Sequence, residues 1–184
     1  MELSQTIQAR RAYRHLKPVE INRELVEDLA RHAQLAASCF NKQPWNYVFV
    51  YEPEQLASLQ TALSAGNVWP QKASMLIAVF SKSDLDCTVA GREYYLFDTG
   101  MATAQLILRA VDLGWVAHPI AGYDEQKAKK ILGLPDDVQL ITLLVVGKQS
   151  TDYAGLDQEK IASEQNRPPR KEFASFVHID RYHG

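Results

Sequence analysis

Long apolar runs are missing from this chain. The longest, Met75 to Phe80 and Leu140 to Val146, fall far below the roughly 18 residues that a membrane-spanning helix needs. Both are expected to be buried strands, and no membrane partner is expected. Charge of one sign is also scarce: 20 Lys and Arg against 22 Asp and Glu leave a formal net charge of −2. That balance excludes a strong nucleic-acid footprint and an acidic solvating tail. Met1 to Arg14 carry Glu2 and a basic cluster without an apolar central segment, so a secretory signal is not expected and a cytoplasmic address follows by default. Cysteine is limited to Cys39 and Cys87, at a spacing that fits neither a metal site nor a redox motif; free thiols are expected, and a structural disulfide is not. His15, His32, His118, His178 and His183 pair neither with one another nor with carboxylates at ligand spacing, so no metal is expected.

What remains is an ordinary globular composition. With 184 residues, 46% of them hydrophobic, the chain can build one core, and a single domain over residues 1–184 is expected. Helical and strand patterns alternate without repeats. Ser4 to Arg14 reads as a first helix. Asn22 is a plausible N-cap for a second that runs to about Ser38, with Leu25, Val26, Leu29, Ala33 and Ala36 on one face. Tyr47 to Tyr51 reads as a strand, Glu54 to Leu63 as a helix and Met75 to Phe80 as a strand. From Arg92 to Leu113 a proline-free helix carries two apolar stripes, one through Leu96, Gly100, Met101, Ala104, Leu108 and Val111, the other through Leu106, Ala110 and Leu113. It must be buried on more than one side, and its small residues suit the middle of the protein or a subunit interface. Gly114 ends it as a C′ residue. Val116 to Ile120 and Gln139 to Val146 complete three or four core strands, separated by a helix from Glu125 to Leu132 capped by Asp124. Near the end, Phe173, Phe176, Val177 and Ile179 form an apolar tail expected to pair, as an added strand, with a partner's sheet edge.

Four segments hold residue types suited to chemistry, and each has an ordinary alternative. Arg10, Arg11 and Arg14 lie within five residues; on a helix, positions 10 and 14 share a face and could converge on one anion through planar guanidinium forks. Taken alone, the cluster is more simply explained as a solvated basic patch. Between the second helix and first strand, Ser38, Asn41 and Gln43 offer donors and acceptors to the edge of a heterocycle, and Pro44 is expected to hold Gln43 extended; a simple turn is the alternative. Cys39 has no evident local base and reads as a small pocket-lining thiol. Pro119, Ile120, Ala121 and Gly122 form a strand-to-helix loop where small residues would let backbone amides reach a flat ligand. Arg167 and Arg170 flank two prolines and could complete an anion clamp, or stand as exposed linker residues.

Taken in order, these segments resemble the nitroreductase family of FMN-dependent oxidoreductases. The resemblance is carried by RRAYR at Arg10 to Arg14, SCFNKQPW at Ser38 to Trp45, Asp98 to Gly114, PIAG at Pro119 to Gly122, Leu134 to Gly147, RKE at Arg170 to Glu172 and FVHIDRY at Phe176 to Tyr182. It implies an α+β fold with a central, mostly antiparallel sheet flanked by helices, and a homodimer with C-terminal strand exchange and two FMN sites built from both subunits. Arg10 and Arg170 would clamp the phosphate, with Arg11 and Arg14 serving the phosphate, the ribityl chain or the N1/O2 side of the ring. Ser38 and Asn41 would come from the other subunit. Pro119 to Gly122 would line the ring, with the Ala121 and Gly122 backbone facing N5 and the dimethylbenzene side; Asn67 or Lys72 would lie near the pyrimidine edge. Three departures stand out. Ala12 replaces a common serine and removes one hydroxyl contact, Ala37 replaces a frequent proline, and Phe40 is bulkier than usual and narrows the pocket. The implied activity is a ping-pong transfer of electrons from NADH or NADPH to a nitroaromatic, quinone or similar small acceptor. With no glycine-rich dinucleotide fingerprint, the nicotinamide would bind only transiently. A specialised flavin dehydrogenase or dehalogenase, and a non-catalytic FMN-binding redox sensor, are the alternatives on the same scaffold.

Overall fold

The computed structural model describes residues 1–67 and 69–182; His183 lies outside them. The chain divides into a unit of residues 1–152 and a C-terminal unit of residues 153–184.

Unit one is built on a sheet whose pairings are all antiparallel: β2 (Asn46–Val50) pairs with β3 (Met75–Ser81), β3 with β7 (Gln139–Gln149), and β7 also with β6 (Val116–Ile120) and with the short β1 (Leu16–Lys17). Five strands thus replace the three or four expected, because β1 adds to the extended end of β7. A separate hairpin joins β4 (Thr88–Val89) to β5 (Arg92–Glu93).

The central strands read as continuous apolar runs because both faces are covered. Met75, Ile77 and Val79 alternate with Leu76 and Ala78, as period-two geometry requires. The first set packs with Leu144, Val146 and Ala117 against α2 (Arg23–Gln34) and α4 (Tyr95–Asp112), through Leu25, Leu29, Ala33, Ala102, Leu106 and Ala110. The second packs with Leu143, Val145 and Ile120 against α3 (Pro53–Gln60) and α5 (Glu125–Leu132), through Leu59 and Ala128. The result is an α+β sandwich with helices on both sides of an antiparallel sheet.

Local signals explain the helix ends. Asn22 accepts a hydrogen bond from Leu25 N at 2.9 Å, and Asp124 from Lys127 N at 3.0 Å, satisfying amides that a helix start leaves unpaired. Gly114 takes φ 71° just past α4. The first helix is shorter than expected. α1 (Leu3–Ala9) stops before the arginines, so Arg10 and Arg14 do not share a helical face. Downstream pairing wins: His15 O accepts from Ser150 N at 2.9 Å and Leu16 joins β7, which requires extended backbone.

Of the first predicted stripe of α4, Val111 is buried and Met101 and Leu108 are half-buried, whereas Leu96, Gly100 and Ala104 are exposed. The core face is formed instead by Tyr95, Asp98, Thr99, Ala102, Thr103, Leu106 and Ala110.

Unit two holds α6 (Gln158–Gln165), capped by Asp157 through Lys160 N at 2.8 Å, and a 3-10 turn at Phe173–Ser175. Phe173 stacks edge-on with Phe176 at 5.9 Å between ring centroids. Both remain exposed, as do Ile179 and Tyr182.

Candidate functional site

Two of the predicted segments meet on β6. Tyr13 O, in the middle of the arginine run, accepts a hydrogen bond from His118 Nδ1 at 3.0 Å. A carbonyl can only accept, so Nδ1 carries the proton. His118 is buried, and the Trp69 ring stacks on it at 4.7 Å. Arg10 and Arg11 are half-buried, Ala12 and Arg14 exposed. The Arg11 guanidinium lies over the Tyr13 ring at 5.0 Å, a cation–π contact that helps to order this irregular stretch.

From His118 the strand runs directly into the second segment. Pro119 and Ala121 are exposed, Ile120 is buried and Gly122 half-buried. Each carbonyl in this exit has a partner: Ile120 O accepts from Thr142 Oγ1 at 2.9 Å, Ala121 O from Tyr123 N at 3.2 Å, and Gly122 O from Ser64 N at 3.1 Å and Asn67 Nδ2 at 2.8 Å. Gly122 is glycine for close approach. A Cβ there would fall 2.6 Å from Ser64 Oγ and closer still to Asn67. Asn67 also accepts from Trp69 Nε1 at 3.3 Å, so its amide links the Gly122 loop to the ring that stacks on His118. Lys72 closes the 3-10 turn Trp69–Lys72 and is exposed.

The Ser38 to Trp45 segment has a separate anchorage. Cys39 N donates to the buried Asp98 carboxylate at 2.6 Å, Gln43 N to Ser38 Oγ at 2.9 Å, and Ser81 Oγ to Pro44 O at 2.8 Å. Cys39 and Cys87 are joined in a disulfide, which overturns the expectation of free thiols and of a pocket-lining Cys39. Folding brings together two cysteines that lie 48 residues apart in sequence. Gln43 is not extended before Pro44; its φ is 52°, and Phe40 and Asn41 also take positive φ. This is the geometry that turns the Gln43 amide back onto Ser38 Oγ. Phe40 is 89% exposed and Asn41 is exposed beside it, so the loop presents a large apolar ring and an amide outward on strained backbone. Next to Cys87, Asp86 is buried, and burial together with the negative Asp98 carboxylate pushes its carboxyl above the usual range.

In unit two, Arg170 is exposed and donates from Nη1 to Pro168 O at 3.3 Å; Arg167 is exposed. Two open clefts of about 400 and 430 Å³ lie elsewhere, one lined by Met1, Leu3, Leu35 and Leu108, the other by Pro18, Ile21, Tyr51 and Leu56; no predicted site residue lines either.

Sequence reasoning did not assign roles to His118, Trp69, Ser64 or Asp98. Asp98 had a visible signal, an acid inside the apolar pattern of α4. For His118, the clue was a polar residue within an otherwise apolar strand.

The sequence model of the nitroreductase family matches residues 7–68 and 63–148. A 15.4 kDa uncharacterised protein from the ask 5′ region of Mycolicibacterium smegmatis is 36% identical over 115 residues, 62% of this chain and 75% of that one. A candidate NADH dehydrogenase/NAD(P)H nitroreductase of Archaeoglobus fulgidus is 24% identical over 162 residues, 85% and 91% of the two chains. In fold, the chain is similar to the crystal structure of a candidate nitroreductase in complex with FMN from Exiguobacterium sibiricum, with a TM-score of 0.81 at 21% identity over 98% of each chain.

Proposed function

The chain belongs to the nitroreductase family, and on that premise we propose that it is an FMN-dependent oxidoreductase that moves electrons from NADH or NADPH to a small acceptor such as a nitroaromatic or quinone. One observation carries the reading: the arginine segment is hydrogen-bonded through Tyr13 and His118 to the strand that exits into Ala121 and Gly122. An anion-binding cluster is thereby attached to a loop of small residues, the chemistry that a phosphorylated flat ring needs at its two ends. The donor set fits FMN.

Arg10, Arg11 and Arg14 would hold the phosphate and polar chain, a role that the family resemblance also implies for Arg170. Arg14 would keep positive charge near the pyrimidine side of the ring. Ala12 removes one side-chain contact, leaving its backbone to line the site. Pro119, Ile120, Ala121 and Gly122 would support the ring through main chain, since Ala121 and Gly122 place no bulk above it. Bound FMN supplies the electron-transfer chemistry itself. No acid or base side chain is required of the protein. The nicotinamide and the acceptor would occupy one open face in turn, which is a ping-pong order.

A homodimer is part of the proposal. Leu96 and Phe97 are exposed large apolar residues on α4, where Gly100 and Ala104 are exposed too, and Phe40 is exposed on its loop; such apolar surface suits an obligate partner. Ser38 and Asn41 would then face the cofactor of the second copy, and the tail around Phe173 and Phe176 would add to the partner's sheet, making residues 1–184 one functional domain.

The test is spectroscopic. The purified protein should be yellow, bleach on anaerobic addition of NADH or NADPH, and recolour with a nitroaromatic or quinone. Yellow protein that neither nicotinamide reduces would point to a sensor or another donor, and colourless protein that ignores added FMN would end the reading.

A further inference from the structure

The disulfide corner contains more than two sulfurs. The Cys39 and Cys87 sulfurs and an Asp86 carboxylate oxygen all lie within 4.8 Å of one another. Asp86 is only 7% exposed; one of its oxygens accepts from Cys87 N at 2.8 Å, and the other, Oδ2, is buried with no N–H or hydroxyl donor, the Asp98 carboxyl being the acidic side chain that Asp86 meets. Leaving a carboxylate oxygen unsatisfied in the interior is costly. The neighbouring charges compensate it poorly: Asp98 is a second buried acid beside it, and Lys42, a cation that acts on Asp86, is an exposed side chain. An ion with two positive charges would answer all three conditions at once: two sulfur donors, an orphaned oxygen and a locally negative interior.

We propose that Cys39, Cys87 and Asp86 form a zinc site in the dithiol state of the protein, so that this corner exists either as a disulfide or as a zinc dithiolate. Two thiolates and a carboxylate with a fourth position for water are a soft, tetrahedral donor set that selects Zn²⁺ over Mg²⁺ or Ca²⁺. A Cα–Cα separation of 6.0 Å lets the sulfurs part by side-chain rotation without moving either backbone. The conversion balances. A dithiol reductant becomes a disulfide as the Cys39–Cys87 bond breaks, passing two electrons and two protons to the cysteines; Zn²⁺ then displaces both protons to solvent. Because Cys39 follows Ser38 and its amide is held by Asp98, either state clamps the Ser38 to Asn41 loop.

The full-length protein, reduced anaerobically with a trialkylphosphine and desalted, should take up one Zn²⁺ per chain in competition with a chromophoric chelator. The same protein oxidised should take up none. Cys87→Ser should abolish uptake, and Asp86→Asn should weaken it by about tenfold or more. Substitution with Co²⁺ should add thiolate-to-metal charge-transfer bands only in the reduced form. No stoichiometric uptake by the reduced protein, or equal uptake by the oxidised one, would overturn the proposal. That comparison needs no variant to fold.

Discussion

A guanidinium exposed on an irregular segment can contribute much to a ligand, and Arg14 is such a residue. Beside it, Tyr13 is tied to β6 through His118. Arg14→Ala is therefore expected to weaken FMN binding by about tenfold or more, a charge-assisted hydrogen bond being worth about 1.5–3 kcal/mol, with the melting temperature unchanged. Fluorescence titration of the apoprotein with FMN measures the first and thermal denaturation the second; unchanged affinity removes Arg14 from the scheme. Single residues also show where sequence pattern is mute. Asn22 and Asp124 were legible as caps because capping needs only a side-chain oxygen two or three residues from an amide. Lys129 was not: nothing local sets it apart from Lys127 or Lys130, yet it is 3% exposed and donates from Nζ to Asp136 O and Val138 O, each at 2.7 Å.

Between elements, the contact that fixes α4 on one side is its packing on α2, bridged by Arg109. Its guanidinium donates to Asp28 at 2.6 and 3.2 Å and to Asp112 at 2.7 Å, and the N-terminal ammonium and His32 lie at the same junction. The hydrogen bond from Arg109 holds the Asp28 carboxyl below its ordinary value of 3.8. A depressed carboxyl stabilises the fold above the unfolded-state value and ceases to as pH falls through the folded-state value. Asp28→Asn should thus cost about 1 kcal/mol at neutral pH, the scale of a partly exposed ion pair, and the difference from wild type should shrink at an acid pH below the ordinary carboxylate range, as the folded-state carboxyl takes up its proton. Denaturant unfolding at both pH values checks this, and a constant difference would contradict it. The helical stripe of α4 was visible in sequence, but period alone assigns faces in relative terms. Which face meets the sheet depended on where α2 and β3 stand.

For the molecule as a whole, the exposed side of α4 makes the dimer testable. A Cβ at Gly100 meets nothing within 4 Å in the single chain, and replacing glycine inside a helix removes an entropic cost. Gly100→Glu should therefore leave the protomer folded while placing a charge in the proposed interface. It is expected to sediment near the 20.7 kDa chain mass, half that of the wild type, and to lose FMN; a flavin-bound dimer of this variant would move the interface elsewhere. The sequence by itself determined the order of the longer helices and strands between Asn22 and Val146, the buried strands and the runs that carry the family pattern, because hydrophobic period, caps and glycine positions act over a few residues. Only the tertiary structure decided that the first helix yields to β1, that Tyr13 meets His118, and that Cys39 reaches Cys87 beside a buried acid. Each of these joins groups tens of residues apart or answers to such a contact, and the free energy of long-range pairing, which overrides local preference, is not written in any short window of the chain.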